Sequence, residues 1–336
     1  MQRTCILGLV VVLAACGSPT AGYNFGTDGP SGSSSGGSGS SSGGTSSGSS
    51  SGGLLGDAGL GMPGGDGGTG SNCVAGAGTF IYVISEDNNL YTFDPTMFPS
   101  AQAFTLVGAV TCNTSGVNSM AVDRSATAWV NFNDGTISKV TTTAPVTCTP
   151  TSFTAGQAGF TGALGMGFSV DATGSNVETL FVSDNGGPGG TCNAATPGPG
   201  CMGKGLGTID IATMTLTPLG AYTGTAAGYN AELTGTGDGR LFGFFTTSPG
   251  SYGQIDKTTG QTATPPPTAV PSVNASTGGY AFSFWGGDFY FYTAPKDNTV
   301  VTHLTTSTGT TATSPELSFT IVGAGVSTCA PTAPTQ

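Results

Sequence analysis

A single histidine, eight cysteines and a thin scatter of carboxylates carry almost all the reactive chemistry available to this 336-residue chain. His303 lies in TVVTHLTT, where alternation makes it a strand residue between Thr302 and Leu304, in a structural or surface role. Any Ser-His-Asp triad would need it, and no G-x-S-x-G elbow occurs. Zinc would require several His or Cys ligands, and calcium a D-x-[DN]-x-[DN]-G loop that the chain lacks. The stretch GPGCMGKG (198–205) imitates the phosphate-cradling G-x-x-x-x-G-K. Gly205, however, stands where a metal-binding Ser or Thr belongs, and no helix pattern follows. Asp94, Asp123, Asp171, Asp210, Asp238, Asp256 and Asp288 sit in or beside turns, where side-chain bonds to backbone N–H groups account for most of them. Glu232, in GYNAELTG, is either an acid or ligand contact or a carboxyl bonded to neighbouring backbone. Glycosidase chemistry would need a second carboxyl close by. No catalytic residue, metal or cofactor is assigned.

The elements that must position these residues form a repeat. A triplet with a central aromatic recurs as Ile81-Tyr82-Val83, Ala128-Trp129-Val130, Leu180-Phe181-Val182, Leu241-Phe242-Gly243 and Phe289-Tyr290-Phe291. Neighbouring copies are spaced by roughly 45–60 residues, within or a little above the span of propeller repeats. A short strand and polar turn precede four of the five, as in SMAVDRSATAWV and FSFWGGDFYF. After each triplet come a turn, a second extended segment such as GTISKVTT, and a further Thr- and Val-bearing strand.

Four antiparallel strands per repeat, starting from the innermost, describe the blade of a β-propeller. The fold class is all-β, a propeller of about five four-stranded blades; an open array or a β-sandwich is the alternative. The copy at Ile81 lacks a leading strand, and the chain end FTIVGAGVSTCAP (319–331) is a leading strand with no triplet after it. Placing the second inside the first closes the ring. That closure sets Cys329 beside Cys73 and predicts a disulfide. Cys192 and Cys201 bracket NAATPGPG and can close on each other, which leaves Cys112 with Cys148.

Residues 1–15 have one positive charge, Arg3, and then an apolar stretch too short to span a bilayer, as in a secretory signal. Leu13-Ala14-Ala15-Cys16 resembles the lipobox of bacterial lipoproteins. The resemblance implies acylation of Cys16 and a membrane anchor made of more than one acyl chain. Residues 17–72 are mostly Gly and Ser, a composition that cannot offset its own ordering entropy. As a coil the segment reaches about 40 Å, using ~5–6 Å times the square root of its length. The expected organisation is therefore a signal over 1–15, a lipidated Cys16 with its tether over 16–72, a propeller over 73–331 and a tail over 332–336.

Only 7% of the residues are charged, and the formal net charge is −11, with seven basic residues and no basic run. Nucleic acid is excluded as a partner, because its phosphates demand clustered Lys and Arg. The phrases AVDRSATAWV and SVDATGS…LFV resemble the A-V-D-x-x-G-x-(aromatic)-V phrase of bacterial lipoproteins carrying WD40-like or NHL-like propellers. Departures are the missing Trp-Asp dipeptides and the missing His-Asp network. Such folds host binders, scaffolds and enzymes alike. Loops entering the leading strands share a face with loops following the triplets, and that face should gather Phe160, Lys204, Tyr229, Glu232 and Tyr280 as possible ligand contacts. The expected function is an exported, lipid-anchored module of the outer membrane that binds an envelope protein or glycan without catalysis. The rivals are a propeller glycosidase or lyase using Glu232 with a second acid, and a structural envelope protein.

Overall fold

The computed structural model describes residues 73–186, 203–274 and 278–334. The domain is a β-propeller of five antiparallel sheets, each of four strands. Blade 1 is built, from the centre outward, of Ile321–Gly325, Ile81–Ser85, Asn89–Phe93 and Phe104–Ala109. Its innermost strand thus comes from the far end of the chain, pairing Val83 with Ala324 and Ile84 with Gly323. Blade 2 starts at Val117–Val122, blade 3 at Leu164–Val170, blade 4 at Ala231–Gly235 and blade 5 at Tyr280–Trp285, each followed outward in chain order by three further strands. Helical content among the described residues consists of four three-residue 3₁₀ turns, at Pro95–Met97, Ala101–Ala103, Gln157–Gly159 and Gly224–Ala226.

Burial falls from the axis outward. Leu164–Val170 is buried at every position, whereas Thr310–Thr313, the outermost strand of blade 5, is exposed at every position. The inner strands are therefore apolar on both faces, and the outer ones read as threonine-rich.

The aromatic triplets are the second strands, and their period of two explains why they recur. The central aromatic faces the next blade while its flanks face the previous one. Tyr82 joins a core with Met120 and Ala128 of blade 2, while Ile81 and Val83 pack on Tyr290 and Tyr292 of blade 5. Trp129 packs on Phe168 of blade 3, and Phe242 on Phe284 and Phe289 of blade 5. Five apolar clusters result, one at each blade interface. No blade has a core of its own, so a blade is stable only between neighbours.

A backbone bond marks each repeat. The N–H just past the second strand donates to the carbonyl just before the first: Glu86 to Thr320 (2.8 Å), Asn133 to Gly116 (3.0 Å), Asn185 to Ala163 (2.9 Å), Thr246 to Asn230 (3.1 Å) and Ala294 to Gly279 (2.9 Å). Side chains then link blade to blade. Asn88, Asn131, Asn185 and Thr299 accept from the backbone N–H groups of Val117, Leu164, Ala231 and Ile321 at 3.1, 3.0, 3.2 and 2.8 Å. At the axis the strands touch backbone to backbone. A Cβ on Gly165 would collide with the Ala231 carbonyl, and one on Gly235 with the Phe168 carbonyl. Between Ala121, Met166, Leu233 and Gly325 no space remains for a water molecule.

Two disulfides are formed among the described residues. Cys73 and Cys329 bridge with Cα atoms 5.9 Å apart across a separation of 256 residues, which staples the ring shut. Cys112 and Cys148 bridge at 5.4 Å, tying the connection out of blade 1 to the outermost strand of blade 2. Cys16, Cys192 and Cys201 lie outside the described residues.

Candidate functional site

The five innermost strands run in one direction, so the propeller has a face where they begin and a face where they end. A glutamate stands at each mouth of the axis. Glu232 is the second residue of the first strand of blade 4, and it points across the axis rather than outward. The Ser119 hydroxyl of blade 2 donates to its Oε2 at 2.7 Å, and Asn185 Nδ2 of blade 3 lies 3.4 Å from Oε1. Only 2% of Glu232 is exposed. Burial pushes its carboxyl well above the usual range, with the Ser119 and Asn185 bonds opposing the shift. One carboxyl thereby joins three blades.

The surroundings of Glu232 are phenolic. Tyr222 is buried beside Ser183, and among the described residues its hydroxyl has no hydrogen-bond partner. Burial raises this phenol, and the nearby Glu232 and Asp184 raise it further. Tyr280 opens the first strand of blade 5 with its ring edge-on to Phe244, and burial next to Glu232 and Tyr222 raises its phenol as well. Asp184 is the carboxylate that shares this neighbourhood. It is engaged in the fold, accepting from the Thr161 N–H (3.0 Å), the Thr161 hydroxyl (2.7 Å) and the Lys204 N–H (2.8 Å).

The other residues expected on this face divide. Lys204 is exposed and Tyr229 is half-buried against the core between blades 3 and 4. Phe160 is corrected. It is 1% exposed and fills the core between blades 2 and 3, so it offers no surface to a ligand. Glu232 likewise is an internal tie rather than a rim contact, although its partners are side chains as well as backbone. His303 is a strand residue of blade 5, bonded to Asp288 at 2.9 Å and stacked on Tyr290 at 4.7 Å. Gly205 leads into the strand Leu206–Asp210, which removes the helix a phosphate loop needs. Four of the turn aspartates behave as Asx residues: Asp94 accepts from the Thr96 N–H, Asp123 from Ser125 and Thr127, Asp210 from Ala212 and Thr213, and Asp256 from Thr258 and Thr259, whereas Asp171 accepts the Thr179 hydroxyl and Asp238 pairs with Arg240. No group of three or more His, Cys, Asp or Glu among the described residues is placed to hold a metal.

Glu178 marks the opposite mouth and was not singled out by its sequence context. It begins the second strand of blade 3 and is half-buried. Its Oε1 accepts the Arg124 backbone N–H of blade 2 at 2.7 Å, and its Oε2 accepts the hydroxyl of Thr328, which adjoins the ring-closing Cys329. The Arg124 guanidinium is buried. Nη2 lies 3.3 Å from Cys73 Sγ, Nη1 lies 3.5 Å from Thr328 Oγ1, and Nε has no partner among the described residues. Burial pushes the Glu178 carboxyl up to about 7, against the pull of its Thr328 and Arg124 bonds. The signal available in the sequence was a lone acid, in SNVETLFV, at a position where a strand enters a buried triplet.

No family model matches the chain, and no curated protein matches it. Solved structures do. A catalytically inactive virginiamycin B lyase from Staphylococcus aureus, in a structure with quinupristin, is 14% identical over 70% of this chain and 68% of that one, with a TM-score of 0.38. The Dos1 propeller is 13% identical over 68% of this chain and 54% of that one, at 0.37. A chain of a nidogen–laminin complex is 9% identical over 76% and 99%, at 0.45. These likenesses concern the fold and nothing finer.

Proposed function

We propose that the chain is an exported lipoprotein, anchored through Cys16 to the outer membrane and spaced from it by the segment 17–72. Its propeller serves as a non-enzymatic binding or scaffold module for a protein or glycan of the envelope. The observation that supports this most is the state of Glu232. Glu232 is buried and bonded to two other blades, while Asp184 is taken up by Thr161 and Lys204. A hydrolase or lyase needs such carboxyls turned toward a substrate. What remains for recognition is the rim of loops around that mouth, which carries Tyr229 and Lys204 on a rigid frame.

The test uses the full chain bearing Cys16→Ala, which should lose acylation and become soluble. Binding to an array of envelope glycans, or to isolated envelope proteins, is measured beside hydrolysis of the same glycans. Binding without turnover supports the proposal. Turnover that disappears in Glu232→Gln, with the fold intact, overturns it in favour of an enzyme.

A further inference from the structure

We propose that the Cys73–Cys329 bridge is a reducible site, opened by a dithiol, in which Arg124 holds Cys73 as the thiolate and Cys329 takes up the proton. The geometry around the two sulfurs is asymmetric in the sense this requires. Arg124 Nη2 lies 3.3 Å from Cys73 Sγ, whereas Cys329 Sγ lies 3.9 Å from the Arg124 carbonyl oxygen. One sulfur faces a cationic donor and the other an acceptor, which suits an anion on Cys73 and a neutral S–H on Cys329. A disulfide sulfur is a weak acceptor, so the closed bridge leaves the buried guanidinium short of partners. Its Nη1 is 3.5 Å from Thr328 Oγ1, and its Nε has no partner among the described residues. A thiolate at Cys73 supplies a charged acceptor in contact with this cation. The site is independent of the binding role.

Cys73 is half-buried and Cys329 is buried, so a thiolate of the incoming dithiol attacks Cys73 Sγ. The S–S bond breaks, a mixed disulfide forms on Cys73, and Cys329 leaves with the electron pair and takes a proton. The second thiol of the reductant then loses its proton to water and attacks the reductant's own sulfur in the mixed disulfide. That step expels Cys73 as a thiolate beside Arg124. In sum the dithiol becomes a cyclic disulfide, one proton is released, and the domain is left with one thiolate and one thiol. The other charged groups around the bridge are already engaged. Glu178 attracts the guanidinium without bonding to it, because its oxygens accept from the Arg124 backbone N–H and the Thr328 hydroxyl. Asp123 accepts from the Ser125 and Thr127 N–H groups and from Trp129 Nε1. From blade 4, the Asp238–Arg240 pair is closed on itself at 2.7 Å, and Lys257 Nζ is committed to the carbonyls of Val170 and Asp171.

Thiol exchange followed by alkylation tests the site. The full chain bearing Cys16→Ala is equilibrated with dithiothreitol and alkylated with iodoacetamide, each cysteine being followed by peptide mass. In the reduced protein the alkylation rate at Cys73 should rise with a midpoint at or below about pH 7.5, against about 8.5 for an ordinary thiol. In Arg124→Gln that midpoint should return to about 8.5, and the Cys73–Cys329 bridge should be roughly three- to tenfold harder to reduce at pH 8. Reduction of Cys112–Cys148, which has no guanidinium bonded to either sulfur among the described residues, should be unchanged. An ordinary midpoint for Cys73 with Arg124 in place overturns the proposal, whether or not the Gln variant folds. An unchanged reduction equilibrium in a folded Arg124→Gln overturns it equally.

Discussion

The two mouths of the axis hold the same residue type in two different settings. Glu232 is enclosed, and its described side-chain partners, Ser119 and Asn185, belong to blades the chain visits in sequence. Glu178 is half-buried, and its partners are a backbone N–H and a hydroxyl at the joint between chain ends. The first end is held shut by side chains that have nowhere else to go. The second is held by a covalent bridge, with a carboxyl beside it that accepts from the blade 2 backbone and from Thr328.

Removing the bridge should have the largest effect. Replacing both Cys73 and Cys329 by Ser frees a loop spanning almost the whole domain, worth about 5 kcal/mol in the chain-entropy account, against about 4 for the shorter Cys112–Cys148 loop. Denaturant unfolding of the two double variants should rank them in that order. Equal losses would mean that the seam is no more important than any outer strand. Next comes the opposite mouth. Glu232→Ala should cost about 3 kcal/mol, because it leaves Ser119 and Asn185 unpaired in a sealed space. Glu232→Gln keeps the shape and one acceptor, so its loss should stay near 1 kcal/mol. A Gln variant as unstable as the Ala variant would show that the carboxylate charge, rather than the bridge it makes, holds the blades.

How legible these features were depended on the distance over which they are determined. The blades were readable because Tyr82, Trp129, Phe181, Phe242 and Tyr290 sit at equivalent strand positions, and alternation is a local property. The Cys73–Cys329 bridge was readable because it follows from counting strands. Phe160 was misplaced onto the surface for the opposite reason. It follows a short turn, and nothing local reveals that the core between blades 2 and 3 reaches up to cover it. Asn88, Asn131 and Asn185, which tie blade to blade, carry no local pattern that marks them, because each accepts from a strand of the next blade. Glu178 and Glu232 differ from exposed acids only in what other blades place around them, and that is fixed by ring geometry.

The pH dependence of global stability sharpens the contrast. Both carboxyls are raised, so in the folded state each keeps its proton at pH values where the unfolded chain has lost it. The folded protein then binds more protons, and stability falls as pH rises. For Glu178 the loss begins near the ordinary glutamate value of 4.5, is complete above about 7, and amounts to at most about 3 kcal/mol. Glu178→Gln should remove that part of the slope and leave whatever Glu232 contributes. Urea midpoints between pH 4 and 9 would check this; an unchanged slope would assign the whole dependence to the enclosed mouth.

The smallest effect separates the mouths by their hydroxyl partners. Thr328→Val keeps the volume at the seam but deletes the donor to Glu178 Oε2, and Ser119→Ala deletes the donor to Glu232 Oε2. Each should cost about 1 kcal/mol at low pH, the net worth of one hydrogen bond. They should diverge as pH rises. Both hydroxyl bonds favour the ionised carboxylate, so losing either raises the pKa of its partner. At the seam, that moves the titration of Glu178 upward from about 7 and extends the fall in stability to higher pH. At the enclosed mouth, Glu232 already stands well above its ordinary value, so a further rise changes little near neutrality. Thr328→Val should therefore displace the Glu178 carboxyl titration measured by ¹³C shifts, and Ser119→Ala should leave that titration where it was. If Ser119→Ala moves it equally, the two ends of the axis are coupled through the intervening strands.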